Sequence, residues 1–441
     1  MMDYLIPALM FPALLAVLFL GIHVAITMMG LALIFGYVAF GPSIVYQLVQ
    51  KVDAIASNYV LAAVPLFVFM GSMLERAGIA ERLFEAIHLW TRRLPGGLAV
   101  GTVLMCVVFA ASTGVIGATE TVVGLLAIPV MLKYAYDKAL ISGTICAGGS
   151  LGTIIPPSVV VVVLGPVAEV SVGDLMYGML FPGLIMAGFY VLYILVYCTI
   201  KPEAGRRLPP DENDPPLAEK LRVTAFALVP PFILIFAVLG SLILGWAAPT
   251  EAAGLGALGA LVMALGYGRF TWKVLHEAVM KTLRITCMIM AILLAGSMFA
   301  GVFLASGGIR MAEQFVAYAQ LGPWTLLAMF LFLAFIAGFV LEWISILLIL
   351  IPIFMPLLKS AGFNPIWVCV LFLVMIQTSY ITPPMAPAIF YLRGISPPEI
   401  TIHHMYRGVV PFILLQVLTI AITMAFPETV LWLPQKVLSF R

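Results

Sequence analysis

Apart from one stretch, this 441-residue chain has no hydrophilic segment long enough to form a soluble connection or domain. The exception is Lys201 to Arg222, KPEAGRRLPPDENDPPLAEKLR, rich in proline and in charge. Everything on either side reads as apolar runs parted by short turns, so the solvent that governs folding is a bilayer. Composition agrees: 63% of residues are hydrophobic and 10% are charged, against about 25% charged in soluble domains. At roughly 20 residues per span, the length supplies roughly ten to thirteen membrane-depth segments and leaves no room for a sizeable soluble domain. The 22 basic and 20 acidic side chains create no general basic field for nucleic acid. The apolar stretch from Tyr4 to about Phe40 lacks a basic lead and a small-residue cleavage site, which argues against a cleaved signal peptide. Two spans broken near Gly21-Ile22-His23 are expected there. The five cysteines, Cys106, Cys146, Cys198, Cys287 and Cys369, lie in apolar stretches at no metal-ligand spacing and read as packing residues.

The basic residues Lys201, Arg206, Arg207, Lys220 and Arg222 put the hydrophilic stretch in the cytoplasm by the positive-inside rule. From Val223 to about Gly266 there is length for two spans around a turn at Gly245 to Glu251. The chain then returns to the cytoplasm, where Arg269, Lys273, Lys281 and Arg284 follow as the rule requires. The second half also repeats the first weakly. Phe69-Met70-Gly71 aligns with Phe299-Ala300-Gly301, Gly78-Ile79 with Gly308-Ile309, Ile128-Pro129 with Ile351-Pro352, and Pro156-Pro157 with Pro383-Pro384. Met176-Tyr177 and Pro182 meet Met405-Tyr406 and Pro411. Collinear matches of this kind mark transporters built from two related halves.

In both halves the apolar runs fail as plain spans at the same two places. Gly96 to Ala111 gives about 24 Å of helix, short of the roughly 30 Å hydrocarbon core, before a polar interruption from Ser112 to Thr121 and a second arm ending near Lys133. This reads as a re-entrant hairpin, and Gly322 to about Lys359, interrupted at Ala337 to Trp343, reads as its counterpart. Next, Ala139 to Gly165 reads as a helix broken at mid-depth by Gly148-Gly149-Ser150-Leu151-Gly152-Thr153 and Pro156-Pro157-Ser158. Its counterpart is Gln377 to Pro387, QTSYITPPMAP. Two prolines cannot continue a helix, and irregular backbone at membrane depth needs burial in protein or a water-filled cavity. Its carbonyls and hydroxyls suit a small hard cation such as Na⁺, and its helix N-termini suit an anion. Purely structural kinks, and hydroxyls that bond only to neighbouring helices, account for the same residues.

Glu120 and Glu342 are the acids of the two hairpin tips, and a carboxylate at membrane depth is costly enough to imply a role as a proton or charge relay. Arg393, after the second break, reads either as an anion contact or as an interfacial anchor. Leu74 to Leu94 mixes both charges with an apolar face, as a helix lying in the interface does. His403-His404 has no metal-site spacing and flanks the last span. No HExxH motif, Cys/His cluster or serine–histidine pair argues for an enzyme.

The runs VPLFVFMGSMLERAGIAERLFE (Val64 to Glu85), AASTGVIGATE at the first tip, GTICAGGSLGTIIPPS (Gly143 to Ser158) and QTSYITPPMAPAIFYLRG (Gln377 to Gly394) resemble the large membrane subunit of TRAP transporters, the DctM type, over nearly the whole chain. The resemblance implies an all-α polytopic membrane protein of two inverted repeats with re-entrant hairpins and broken helices, working as an elevator. It implies Na⁺-coupled import of an organic anion, often a carboxylate, across a bacterial inner membrane. Implied partners are a small membrane subunit of about four spans and a periplasmic binding protein; no cofactor is implied beyond Na⁺ as coupling ion. By motif, Na⁺ ligands fall on Ser112, Gly114, Gly148, Gly152 and Pro156, and on Gly338, Thr378, Thr382 and Pro383, many through backbone carbonyls. Substrate contacts fall on Thr113, Gly117, Ser150, Thr153, Ser379 and Arg393. Glu120 departs from the smaller or uncharged residue expected at its position, which leaves open whether protons replace or supplement Na⁺. The chain opens without small-subunit sequence, so a separate small subunit is expected.

The organisation expected is scaffold spans over 1–57, a span plus interfacial arm over 58–95, and a first transport repeat over 96–200. A cytoplasmic linker over 201–222, a second scaffold segment and arm over 223–321, and a second transport repeat over 322–441 complete it. The competing function is a stand-alone ion-coupled carboxylate transporter that needs no binding protein.

Overall fold

The structure is a computed structural model describing residues 5–113, 117–207 and 216–439, and every regular element in it is helical. α1 (Leu5–Phe19) and α2 (Val24–Phe40) are parted at residues 20–23. There Gly21 takes a φ of +82° and the His23 ring accepts the Ala25 N–H at 3.3 Å, so a new helix is capped instead of the first continuing. α2 runs through one 3-10 turn into α3 (Ile44–Ala56), and α4 (Ala63–Arg76) follows. α5 (Ile79–Thr91) then buries Ile79, Leu83, Ala86 and Ile87 along one face and exposes Glu81, Glu85 and Trp90.

α6 (Gly97–Thr113) and α7 (Ala118–Lys133) form the first hairpin, α8 (Lys138–Ser150) and α9 (Val159–Ala168) the first broken helix, and α10 (Val172–Ile200) a full span. After the hydrophilic stretch come α11 (Leu217–Ile243), α12 (Pro249–Gly266) and α13 (Trp272–Ala305), then the short α14 (Gly308–Tyr318). α15 (Pro323–Ala337) and α16 (Trp343–Ser360) form the second hairpin, and α17 (Pro365–Ile381) and α18 (Pro387–Ile395) the second broken helix. α19 (Ile402–Ala425) and α20 (Glu428–Ser439) close the chain. Among the described residues, eight helices are long and apolar enough to cross a membrane. The shorter apolar helices Gly97–Ala111, Val159–Ala168, Pro323–Ala337 and Pro365–Ile381 are arms of the hairpins and broken helices.

Three boundaries differ from the sequence expectation, each for a local reason. Thr119, Glu120 and Thr121 lie in the first turn of α7 instead of the hairpin tip, because Glu120 bonds back to the backbone that starts the helix. The amphipathic arm starts at Ile79, since Gly78 (φ +71°) breaks it from α4. The end of the hydrophilic stretch is helical: α11 begins at Leu217, after Pro216. At its other end the Gly205 carbonyl accepts the Gly96 N–H at 3.0 Å, and the Ala204 carbonyl accepts the Asp137 N–H at 2.9 Å. The segment therefore pins both ends of the first hairpin together.

The arm α5 rests on the second half of the chain. Trp90 Nε1 donates to Thr224 Oγ1 at 2.7 Å and the Arg82 guanidinium sits 4.4 Å above the Tyr267 ring, while at the end of α4 Glu75 and Arg76 pair with Lys281 and Glu277. Within the core, α8 and α19 approach until backbones touch. A Cβ on Gly143 or Gly408 would overlap the carbonyl of the facing helix, the close approach that small residues allow between membrane helices. Trp324, Phe363 and Trp367 cluster at the open end of the second hairpin with ring centroids 5.3 to 6.2 Å apart, Phe363 stacked on Trp367 and Trp324 edge-on to both.

Candidate functional site

The first hairpin and first broken helix meet through a carboxylate. Gly117 takes a φ of +82° and starts α7; its N–H donates to Glu120 Oε2 at 2.7 Å, and Thr121 Oγ1 donates to its carbonyl at 2.7 Å. Glu120 is fully buried, and a Cβ on Gly149 would overlap its Cγ and Cδ, so α8 makes room for the carboxylate with a glycine. Its second oxygen, Oε1, has no hydrogen-bond partner among the described residues. Gly148 faces Cys106 of α6 across a space too small for a methyl group. Beyond α8 the chain makes one 3-10 turn, Leu151–Thr153, holding Gly152, and stays non-helical from Ile154 through Pro156 to Ser158. Thr153 Oγ1 donates to the Ser150 carbonyl at 2.9 Å and Ser158 Oγ to the Thr153 carbonyl at 3.0 Å, which shapes the break from within. The side chains of Ser112 and Thr113, and Gly114 entirely, lie outside the described residues.

The second pair is built alike. Thr378 Oγ1 donates to the Val374 carbonyl at 2.8 Å, Ser379 Oγ to the Ile376 carbonyl at 2.7 Å, and Thr382 Oγ1 to the Thr378 carbonyl at 2.6 Å. Each hydroxyl spends its proton on a carbonyl of its own helix and keeps lone pairs for another partner. Pro383 follows at once, and the Pro383-Pro384 bond is cis, as is Pro156-Pro157. Gly338, at the end of α15, lies so close to Ser379 that a Cβ would overlap that side chain.

The two pairs touch at fully buried polar side chains. Gln377 Nε2 donates to Ser150 Oγ at 3.0 Å, so residues 227 positions apart tie the second break to the first. Gln416 of α19 donates to Ser150 Oγ at 3.3 Å and to Tyr190 Oη of α10 at 2.7 Å. Sequence reasoning missed Gln416 and Tyr190, and named Gln377 only as the start of the second break. The available signal was the cost of an amide inside an apolar span, which demands a partner on a neighbouring helix.

Between the second hairpin and the second break lies a cavity of ≈ 480 Å³. Three helix N-termini border it: α9 through Val159 and Val160, α16 through Trp343, and α18 through Pro387. The C-terminal ends of α15 (Gly338) and α17 (Ser379, Tyr380) form another part of the wall. Helix N-termini present partial positive charge and C-termini partial negative charge, so one cavity offers poles for an anion and for a cation. Its lining includes Glu342 and, among the described residues, no Lys or Arg. Arg393 is engaged elsewhere, its Nη1 donating to the Ile400 carbonyl at 2.8 Å. Gly117 packs against the Tyr391 ring, which lines the cavity. Trp343, Tyr380 and Tyr391 supply apolar and hydroxyl-bearing walls.

Comparison with known proteins agrees with this architecture. The family model described as "Tripartite ATP-independent periplasmic transporter, DctM component" matches residues 11–429. A relative from Pseudomonas aeruginosa, "C4-dicarboxylate TRAP transporter large permease protein DctM", is 30% identical over 90% of this chain and 91% of its own length. The "Sialic acid TRAP transporter large permease protein SiaM" of Vibrio cholerae is 26% identical over 97% of this chain and 98% of its own. Among solved structures, the YdaH transporter of Alcanivorax borkumensis shares the fold with a TM-score of 0.66 at 15% identity, covering 89% of this chain and 90% of that one. The paired hairpins and broken helices therefore belong to a transporter permease: this chain is a member of the DctM-component family of tripartite ATP-independent periplasmic transporters.

Proposed function

We propose that the chain is the large permease subunit of a tripartite, binding-protein-dependent secondary transporter that imports an organic anion, most simply a carboxylate, coupled to a Na⁺ gradient. The observation that carries this reading is the cavity bordered by three helix N-termini and two helix C-terminal ends with no basic side chain in its lining. An anion is held there by helix dipoles and backbone N–H groups, as at other broken-helix sites. Na⁺ is held by carbonyls and hydroxyls of the breaks: Gly148, Gly152 and Pro156 with the first tip, and Gly338, Thr378, Thr382 and Pro383 at the second. Two relatives named for C4-dicarboxylates and sialic acid support the carboxylate class.

Coupling in this scheme is thermodynamic. Ion and anion each favour the same closed arrangement of tip and break, so each raises the affinity for the other by the same factor. The two halves form inverted repeats, and the hairpins and broken helices move as an elevator against scaffold spans that include α4, α12 and α13. A separate small membrane subunit steadies that scaffold, and a periplasmic binding protein delivers the anion to the chain in the bacterial inner membrane. The test is uptake of labelled C4-dicarboxylate or sialic acid into proteoliposomes holding this chain and its small subunit. Uphill accumulation that needs both an inward Na⁺ gradient and the binding protein is expected; equal uptake without either overturns the reading.

A further inference from the structure

We propose that an apolar groove behind the second hairpin seats one acyl chain of a membrane phospholipid, which props the hairpin tip from its far side. The groove measures ≈ 740 Å³ and is walled by α1, α14, α15 and α16 with apolar side chains throughout. Val340 and Leu341, just beyond Gly338, line this groove and also the ≈ 480 Å³ cavity of the candidate site. The tip is thus a thin partition between a site with helix-end poles and a slot with none.

The chemistry of the slot selects its occupant. Phe19 is 75% exposed, Phe315 56% and Val340 44%, so its rim offers large apolar surfaces to whatever lies alongside. Water gains nothing in a recess that offers it no polar partners, and an unfilled apolar recess forfeits dispersion contacts along its walls. In a bilayer the neighbouring solvent is hydrocarbon chain. A helix from a protein partner, about 10–12 Å across, lays only one face against such a groove, whereas a slender acyl chain reaches its apolar walls. Arg310, exposed on α14 next to the lining residues Met311 and Ala312, supplies a cation for the phosphate of the same lipid. Occupancy of the groove stands on this geometry alone, whereas its effect on transport rests on the proposed movement of the second hairpin.

The experiment uses phosphatidylglycerol bearing a diazirine on its acyl chain, reconstituted with the full chain, photolysed and mapped by peptide mass spectrometry. Crosslinks concentrated on Met311, Leu333 and Leu341 are expected, with loss in Ala312→Trp and in Val316→Trp, which fill the slot. Crosslinks no denser there than at Phe236, exposed on α11 away from the groove, overturn the site. So does their disappearance on adding the small membrane subunit, which assigns the groove to a protein. A changed uptake rate in the two filled variants, with an unchanged thermal midpoint, supports the prop; unchanged uptake in variants that have lost the crosslink overturns it. If wild-type chain shows no Na⁺-driven uptake, the proposed function fails while the crosslink map still decides occupancy.

Discussion

Removing Gln416 tests whether the buried polar junction holds the two breaks together. Gln416→Met keeps roughly the same shape and deletes the donor that reaches Tyr190 Oη at 2.7 Å and Ser150 Oγ at 3.3 Å. All three residues are at most 1% exposed, so water cannot replace the lost bonds. In water-soluble interiors a polar group left unpaired costs about 1–3 kcal/mol. Between membrane helices measured side-chain hydrogen bonds average about 0.6 and reach about 1.7 kcal/mol. The short bond and full burial place this one at the upper end of the membrane range, about 1–2 kcal/mol. Tyr190→Phe removes the opposite partner and costs a similar amount, but the double variant leaves neither group stranded. Its loss should fall short of the sum by about 1 kcal/mol, because deleting both partners is far cheaper than orphaning one. The assay is equilibrium unfolding of the purified chain in mixed micelles of rising denaturing-detergent fraction, run as a double-mutant cycle. Strictly additive losses would refute the claim that these groups act as one junction.

Three further outcomes follow from the same geometry. Thermal unfolding in NaCl against KCl or choline chloride at equal ionic strength should show a saturable Na⁺-specific rise, worth about 2.7 kcal/mol at a hundredfold excess over the dissociation constant; Thr382→Ala should lose it, and a rise retained there removes Thr382 from the ion site. Gly149→Ala should destabilise by about 1–3 kcal/mol because its methyl group meets Glu120, and Glu120→Ala in the same chain should recover part of that loss; no recovery would show the strain lies elsewhere. Burial, and secondarily Arg92, push His88 of α5 down from its usual 6.5 to about 4. The unfolded chain therefore takes up a proton between those values that the folded chain refuses, so stability is full above pH 6.5 and declines as pH falls toward 4. The unfolding midpoint of His88→Gln should lack that decline, and an identical pH profile would assign it to other groups.

Hydropathy and chain-breaking residues were enough to read most of the helical architecture. The interruption at Gly21 to His23, the short arms before and after each tip, and the Pro-Pro breaks are local events, since each depends on missing N–H donors, glycine backbone freedom or too few apolar residues to cross. The placement of Glu120 was less legible, because a back-bond to Gly117 turned part of an expected loop into the first turn of α7. The site itself depended on distance in space. Nothing local in Ser150, Gln377, Gln416 or Tyr190 announces that they meet, and nothing in Trp343 or Tyr391 marks them as cavity walls. Arg393 offered a charge of the right sign for an anion, and one of its N–H groups donates to the Ile400 carbonyl. A period of apolar residues determines which segments enter the bilayer because transfer energy sums along the chain. Which polar groups inside it become partners, and which helix ends converge on one cavity, is decided only when the packed helices leave each buried donor and acceptor a single place to go.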